Sequence, residues 1–401
     1  MIDYRPSAKL RHLRLVTQVA EGLTVSEAAF ANGVTQSAAT QAIHKVEAIL
    51  GVALFVRGSF GLKKNQASEV VSRRFKRADG YLRQGIESLL PGSGTADVER
   101  RIKLLNWTQI HVLLTLDGVE NLSDASKTLG TSRAAIYRVI SEIEDLFGPN
   151  IISRRSHSLR LAETGLAAAP YFRLAIREAE EMASDLGALQ GQTNGIIRIG
   201  ATASANARIV PVAIATSLKE LPMLTYEVRV GDTQDLLHQL ARGIVDVVVS
   251  SAIEGKPNFH TIELCENRMD VVCRGWHPLV GKPNVTERDL ATYPWIVPTA
   301  GSKAFRRFNQ VFENAQLNVP AGIIQTDSYD LIRALLASSD CLAMISESRI
   351  AFEGHVSPLS RLPFKVPGVN SKLYLVQRDG WLPTRAQIEF IRIIKQVSTA
   401  D

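Results

Sequence analysis

The 401-residue chain contains only three cysteines, Cys265, Cys273 and Cys341. They are odd in number and not at metal-ligand spacing, which argues against a disulfide-stapled framework. They read as buried thiols in a reducing compartment. No apolar run approaches the ~20 residues that cross a bilayer. The opening MIDYRPSAKLRHLR lacks the apolar core of a signal peptide, so a cytoplasmic protein with no membrane partner is expected. The GSG at Gly92 is not followed by Gly-Lys-Ser/Thr, and no GxGxxG, GxSxG or HExxH occurs. The eight histidines are scattered, and His277, ahead of Pro278 in a turn, reads as structural. Nucleotide-cradle, serine-hydrolase and zinc-hydrolase chemistry therefore have no residues to work with. No metal or cofactor is expected, and the chain does not read as an enzyme.

What the chain does hold is concentrated between Asn121 and Leu161. Ser123 is positioned to cap a short helix ending near Leu129, and Gly130 supplies a tight turn. Thr131 or Ser132 then caps a second helix that reaches Phe147, where Gly148 and Pro149 stop it. On that helix Ile136, Val139, Ile140, Ile143, Leu146 and Phe147 form one apolar stripe to be buried. Arg133, Tyr137 and Ser141 run down the outward side, with Arg138 beside them. A short helix, a glycine turn and a longer helix with basic outward residues match a helix-turn-helix whose second helix enters a DNA major groove. Ile151–Leu161 fits a winged hairpin with Arg154, Arg155, Ser156 and His157 at its tip. An ordinary helical hairpin with a solvated basic face is the alternative for this stretch taken alone.

The stretch is repeated. Shifted by 97 positions, the first segment falls on it without a gap: Ala39, Ala42, Ile43, Val46, Ile49 and Leu50 land on the six apolar positions. Ser26 lands on Ser123, Gly33 on Gly130, Glu47 on Glu144, Arg57 on Arg154, Leu62 on Leu159 and Lys63 on Arg160. The fold class that follows is multidomain, with two all-α winged helix-turn-helix domains. The first presents Thr35, Gln36, Ser37, Thr40 and Gln41, with Arg57 and Lys63 in its wing. The second presents Ser132, Arg133, Ala134, Tyr137 and Arg138, with Arg154, Arg155, His157 and Arg160 in its wing. Gln and Arg suit bidentate contacts with adenine and guanine edges, whereas Ser and Thr serve bases or phosphates. If both copies bind double-stranded DNA, they should prefer different sequences. Residues 1–98 carry 13 Lys/Arg against 8 Asp/Glu, so the basic surplus of the +6 chain sits in its first quarter and favours a polyanion partner there.

The rest divides as follows. Residues 1–90 form the first unit with its trailing helix from Ala67 to about Leu90, apolar at Val70, Val71, Phe75, Ala78, Leu82, Ile86 and Leu89. Its Arg74 and Arg77 are expected at DNA phosphates or a dimer surface. Residues 91–98, including PGSGTAD, read as a flexible linker. Residues 99–161 form the second unit, opened by an amphipathic helix from Arg101 to Asp117. Residues 162–190 are Ala-, Leu- and Glu-rich, and look like a linker helix for dimerisation, with Pro170 as a kink site. After GQTNG, residues 191–401 alternate short strands with helices such as Ala205–Lys219, as in an α/β domain with largely parallel sheets. Two such sets predict two lobes, lobe I at about 195–267 and 365–401 and lobe II at about 268–364. Ligands bind in the crevice at the carboxyl ends of parallel strands.

The chain resembles the LysR-type transcriptional regulators. The resemblance rests on TSRAAIYRVISEIEDLFGPNIISR (Thr131–Arg154), LAETG (Leu161–Gly165), GIIRIGATAS, GDTQDLLHQLARGIVDVVV and WHPL (Trp276–Leu279), and spans about Asn106 to Val397. It implies a bacterial homodimer or homotetramer whose periplasmic-binding-protein-like, two-lobed α/β domain binds a small effector, with RNA polymerase as a further contact. Carried over residue by residue, the effector contacts are Thr202, Ala203 and Ser204 in the first lobe. In the second they are Pro298, Thr299, Ala300 and Gly301, with Thr326 and Asp327. Independently, the hydroxyls of Thr202 and Ser204 lie between a strand end and a helix start, where they suit a carboxylate or phosphate or serve as simple N-caps. The effector expected is a small organic, aromatic or sugar acid. The extra first unit departs from the family, and its role lies between DNA contact and assembly, its charge favouring DNA. The rival functions are an architectural DNA binder without a ligand, and an enzyme using the two-lobed domain.

Overall fold

The computed structural model describes residues 8–58, 61–119, 121–155, 158–251, 257–300, 303–347, 349–350, 359–367 and 371–399. The first unit comprises α1 (Leu10–Ala20), α2 (Val25–Ala31), α3 (Gln36–Leu50), the hairpin β1 (Phe55–Gly58) and β2 (Gly61–Lys64), and α4 (Gln66–Leu89). The Thr24/Glu27 capping box starts α2, and Gly33, at φ 65°, turns the chain where a side chain would strain it. After α5 (Thr95–Leu104) the second unit comprises α6 (Trp107–Gly118), α7 (Leu122–Leu129), α8 (Arg133–Phe147), β3 (Ile152–Arg155), β4 (Ser158–Leu161) and α9 (Glu163–Leu189). α3 and α8, β1 and β3, and β2 and β4 correspond end for end at the 97-residue shift, and the two hairpins share one strand register.

Several expected boundaries move. Asn121, not Ser123, caps α7, accepting from Asp124 N at 3.0 Å. The helix expected over Arg101–Asp117 is two helices, because Asn106 and Gln109 form a capping box that restarts the chain at Trp107. The linker expected at 91–98 is already helical from Thr95, and α5 lies against α4. The apolar stripe of α8 is buried except for half-exposed Leu146, whereas Ile49 of the first stripe is 44% exposed.

The long helices pack on each other. Arg74 bonds Asp185 at 2.8 Å, and farther along α4 a Cβ on Gly85 would lie 2.6 Å from the Phe172 ring, so α4 and α9 run antiparallel. The greasy face of α4 is wholly buried, against α9, α1 and α5 together, and Pro170 lies inside α9 without ending it. The apolar stripe of α9, expected to await a second chain, is therefore covered by α4 of its own chain. A single core cluster runs from Ala8 through both units and both long helices to Leu186.

Two five-stranded sheets follow. β5 (Gly195–Ala201), α10 (Ile209–Glu220), β6 (Leu224–Val230), α11 (Thr233–Ala241), β7 (Val247–Ser250) and β8 (Phe259–Asn267) lead to β9 (Met269–Arg274) and α12 (Glu287–Ala291). β10 (Trp295–Val297), α13 (Lys303–Asn314), β11 (Ile323–Gln325), α14 (Tyr329–Ser338), β12 (Leu342–Ser346), β13 (Leu359–Arg361), β14 (Ser371–Arg378) and α15 (Arg385–Thr399) complete the chain. The strand orders are β6-β5-β7-β14-β8 and β11-β10-β12-β9-β13. Among the described residues only β6-β5-β7 and β11-β10-β12 are parallel; β14 and β9 pair antiparallel on both sides, so the sheets are mixed rather than largely parallel. The chain crosses from one sheet to the other after β8 and returns after β13, and in sheets of this kind ligands are bound at the carboxyl ends of the parallel strands, here β5, β7, β10 and β11.

Candidate nucleic-acid interface and effector crevice

On α8 the buried stripe fixes which side chains face out. Arg133, Tyr137, Arg138 and Ser141 are exposed, Tyr137 at 52%. Ser132 accepts from Ala135 N at 3.2 Å and so anchors the helix start, as Thr35 does for α3 through Ala38 N at 3.2 Å. Gln36, Ser37 and Gln41 are exposed on α3, and half-buried Thr40 donates its hydroxyl to Gln36 O at 3.0 Å. Thr35 and Ser132 thus accept at their own helix starts, and Thr40 donates its hydroxyl to its own helix. In the wings Arg57, Lys63 and Arg160 are exposed. Arg154 is exposed too, but its guanidinium holds Glu144 of α8 at 2.7 Å, tying wing to helix. Arg155 ends β3, and the wing-tip Ser156 and His157 lie outside the described residues.

Arg74 corrects the expectation of an outward cation. It is fully buried, with Nη1 on Glu181 at 2.7 Å and Glu178 at 3.0 Å and Nε on Asp185 at 2.8 Å. Nη1 also donates to Leu382 O at 2.8 Å, and Arg77, half-buried on Glu178, donates to Gly380 O at 2.8 Å. Periodicity shows that a helix has two faces, not which element covers each. The same cluster fastens the helix pair to the first sheet: Gln387 Nε2 donates to Glu181 at 3.3 Å, and Arg177 Nε donates to Gly243 O at 3.1 Å. Asp117 accepts from both Arg173 and Arg242, at 2.8 and 2.9 Å, at the junction of α6, α9 and α11. Burial pushes the Glu181 carboxyl up to about 8 against the pull of Arg74.

At the crevice the expected helix start is displaced. Ala205–Ala207 form a single 3-10 turn and α10 begins at Ile209, so neither Thr202 nor Ser204 caps it. The Thr202 hydroxyl donates to Val249 O at 3.4 Å, and Ser204 makes no side-chain cap. In the second lobe, Thr299, Thr326 and Asp327 come together: Thr299 N–H donates to Asp327 Oδ1 at 3.2 Å, the Thr299 hydroxyl also bonds that carboxylate, and Thr326 accepts from Ser328 N at 3.1 Å. Half-buried Pro298 and exposed Ala300 flank them, and Gly301 lies outside the described residues. Arg349 carried no sequence signal, yet it links the two sides, donating to Ala203 O at 3.3 Å with its guanidinium 3.9 Å from the Tyr329 ring centroid. His277 is structural in the expected sense: Nδ1 accepts from Leu279 N at 3.1 Å and Nε2 faces Asp340 O at 3.2 Å, an arrangement only the neutral ring satisfies.

Residues 190–399 match the family described as LysR substrate binding domain. The chain belongs to the LysR family of bacterial transcriptional regulators. Residues 10–67 match the bacterial regulatory helix-turn-helix protein of that family, so the first unit, expected to depart from the family pattern, carries it. This regulator is 29% identical to the HTH-type transcriptional regulator GalR of Pseudomonas putida over 97% of each chain. It is 27% identical to the HTH-type transcriptional regulator PcaQ of Agrobacterium fabrum over 72% of this chain and 92% of that one. Among solved structures it shares its fold with a full-length OxyR variant from Pseudomonas aeruginosa, at TM-score 0.54, 16% identity, and coverage of 73% of this chain and 94% of that one. It also shares it with full-length CbnR complexed with its target DNA, at TM-score 0.54, 15% identity, and coverage of 72% and 99%. The chain is a DNA-binding transcriptional regulator with an effector-binding domain, not an enzyme. No helix among the described residues is long and apolar enough to cross a membrane.

Proposed function

We propose that this regulator touches DNA through both amino-terminal units, each a winged helix-turn-helix, and that a small acid held between the two lobes changes how they engage it. One observation carries the reading. In both units a capped helix buries one stripe and leaves a polar face exposed, the faces being Gln36, Ser37 and Gln41 in one and Arg133, Tyr137 and Arg138 in the other. Gln and Arg there suit adenine and guanine edges, while Thr35, Thr40 and Ser132 position their helices and Arg57, Lys63, Arg154, Arg155, His157 and Arg160 serve the backbone. A relative that matches along the whole chain supports both units as parts of one architecture. We take the bodies as residues 1–90, 99–161, 162–190 and 191–401, the last split into lobes near 267 and 365.

For the effector we assign Thr202, Ala203 and Ser204 in the first lobe and Pro298, Thr299, Ala300, Thr326 and Asp327 in the second, together with Gly301, which lies outside the described residues. Arg349 beside Ala203 supports an acidic ligand, bound by its carboxylate on the first-lobe side. Asp327 already holds the Thr299 N–H, so the second lobe suits a hydroxyl or other donor of the same ligand. That combination favours hydroxy, phenolic or sugar acids. Any dimer or tetramer of the chain forms through surfaces other than the covered stripe of α9, and joins whole chains that each keep both amino-terminal units. Effector closure of the lobes shifts the α4–α9 pair through the Arg74 cluster, altering DNA spacing and contact with RNA polymerase.

Affinity measurements on a cognate promoter test this. Arg138→Ala and Gln41→Ala should each cost about 1–3 kcal/mol and relax one base position. Unchanged affinity and preference in either variant would remove that unit from the groove. Thr202→Val with Ser204→Ala should abolish the effector response and spare DNA binding; a normal response places the effector elsewhere.

A further inference from the structure

Resting on the reading that both units bind DNA, we propose that a single copy of this chain is a complete two-headed reader, whose target is one DNA element of two unlike half-sites in inverted orientation at fixed spacing. Each long helix leaves the hairpin of its own unit at its N-terminal end, Gln66 after β2 and Glu163 after β4. Because the pairings Arg74–Asp185 and Gly85–Phe172 make the helices antiparallel, the hairpins from which they leave sit at opposite ends of the pair and in inverted orientation. Extending that register puts the start of α9 a few residues beyond the end of α4. The two N-terminal ends then lie about 40 Å apart at ~1.5 Å per residue, close to the roughly 34–36 Å of one DNA turn. A second contact joins the units: Trp107 Nε1 donates to Ala8 O at 3.0 Å, with Ala8 and Leu105, equivalent under the 97-residue shift, both buried.

The charges select this pairing over its alternatives. Under the shift, Arg74 corresponds to Tyr171, while Glu178, Glu181 and Asp185 correspond to Tyr81, Gln84 and Ser88. Two α4 helices from separate chains, packed in the same register, would bury Arg74 with no carboxylate. Two α9 helices would bury three carboxylates with no cation. Each leaves buried charge uncompensated, so α4 prefers α9. The short connection Leu90–Gly94, and α5 lying on α4, make the α9 of the same chain the nearest partner. The joined heads present different reading groups, so the half-sites cannot be identical.

Selection from random duplexes with the full-length chain, followed by native mass spectrometry of the selected complex, tests this. The expected result is one motif of two different boxes, with as many motifs bound at saturation as there are chains in the complex, and with Gln41→Ala relaxing one box and Arg138→Ala the other. Inserting five base pairs between the boxes should lower affinity roughly 10²-fold or more, toward that of one box. Unlike boxes that each need their own chain, full affinity after the insertion, or a palindrome occupied by two chains would overturn the fused reader. A single box indifferent to Gln41→Ala would instead overturn the underlying two-unit reading.

Discussion

Replacing Arg74 with Met keeps the length and removes the charge from the centre of the helix pair. The guanidinium is fully buried and bonds Glu178, Glu181, Asp185 and Leu382 O at 2.7–3.0 Å, and those carboxylate side chains are themselves only 4%, 9% and 12% exposed. Removing one partner of a buried ion pair costs about 3–5 kcal/mol, because the charge left behind stays desolvated. Arg77 still neutralises Glu178, and Glu181, whose carboxyl burial raises to about 8, is largely protonated at pH 7, so Asp185 is the main charge left behind and the lower end of that range applies. For a cooperative unit of roughly 150–250 residues each kcal/mol shifts the midpoint by about 2–4 °C, so a drop of roughly 10 °C is expected. Thermal unfolding at pH 7 of wild type, Arg74→Met and Arg74→Lys reads this out, with the Lys variant between the other two. A loss below about 1 kcal/mol for Arg74→Met would refute a stabilising cluster. A change in the salt dependence of DNA binding without loss of stability would return Arg74 to the phosphates.

Two further perturbations act on the same joint. The Glu181 carboxyl is raised in the folded protein from 4.5 to about 8 by burial, so folding favours its protonated form. That contribution is fully present below pH 4.5 and is lost as pH rises through about 8; Glu181→Gln should therefore flatten the fall in melting temperature between pH 6 and 9, and an unchanged slope would show that another group titrates. Gly85→Ala drives a methyl to within 2.6 Å of Phe172 and should cost about 1–3 kcal/mol, recovered in part by Phe172→Leu. A neutral Gly85→Ala would mean that α4 and α9 are not in van der Waals contact there.

Much of this was legible in the residues. Ser132 and Gly148 bound α8 as local capping chemistry requires, and the repeat placed both hairpins because it matched turn residues as well as apolar ones. The break between α5 and α6 had a readable signal, the Asn106/Gln109 capping box, hidden inside an otherwise amphipathic run. β8 is not legible in the sequence because only Leu264 and Asn267 of its nine residues are buried at the sheet edge, which leaves no clean alternation. The crevice was the least legible part. That Arg349 reaches Ala203, and that Asp327 occupies the Thr299 amide, depend on loops brought together by the fold, and no spacing in the chain encodes them. The burial of Arg74 is hidden for a related reason: an arginine on a long helix reads as solvated until the helix that covers it is known.

Sequence-specific recognition by exposed side chains held on buried stripes is what makes this chain a regulator. Competition binding of the full-length chain to a promoter fragment against random duplex, at one fixed salt concentration, measures it most directly. A preference of at least ~10³-fold that Arg138→Ala reduces is expected. Equal affinity for promoter and random DNA, unaffected by that substitution, would contradict it.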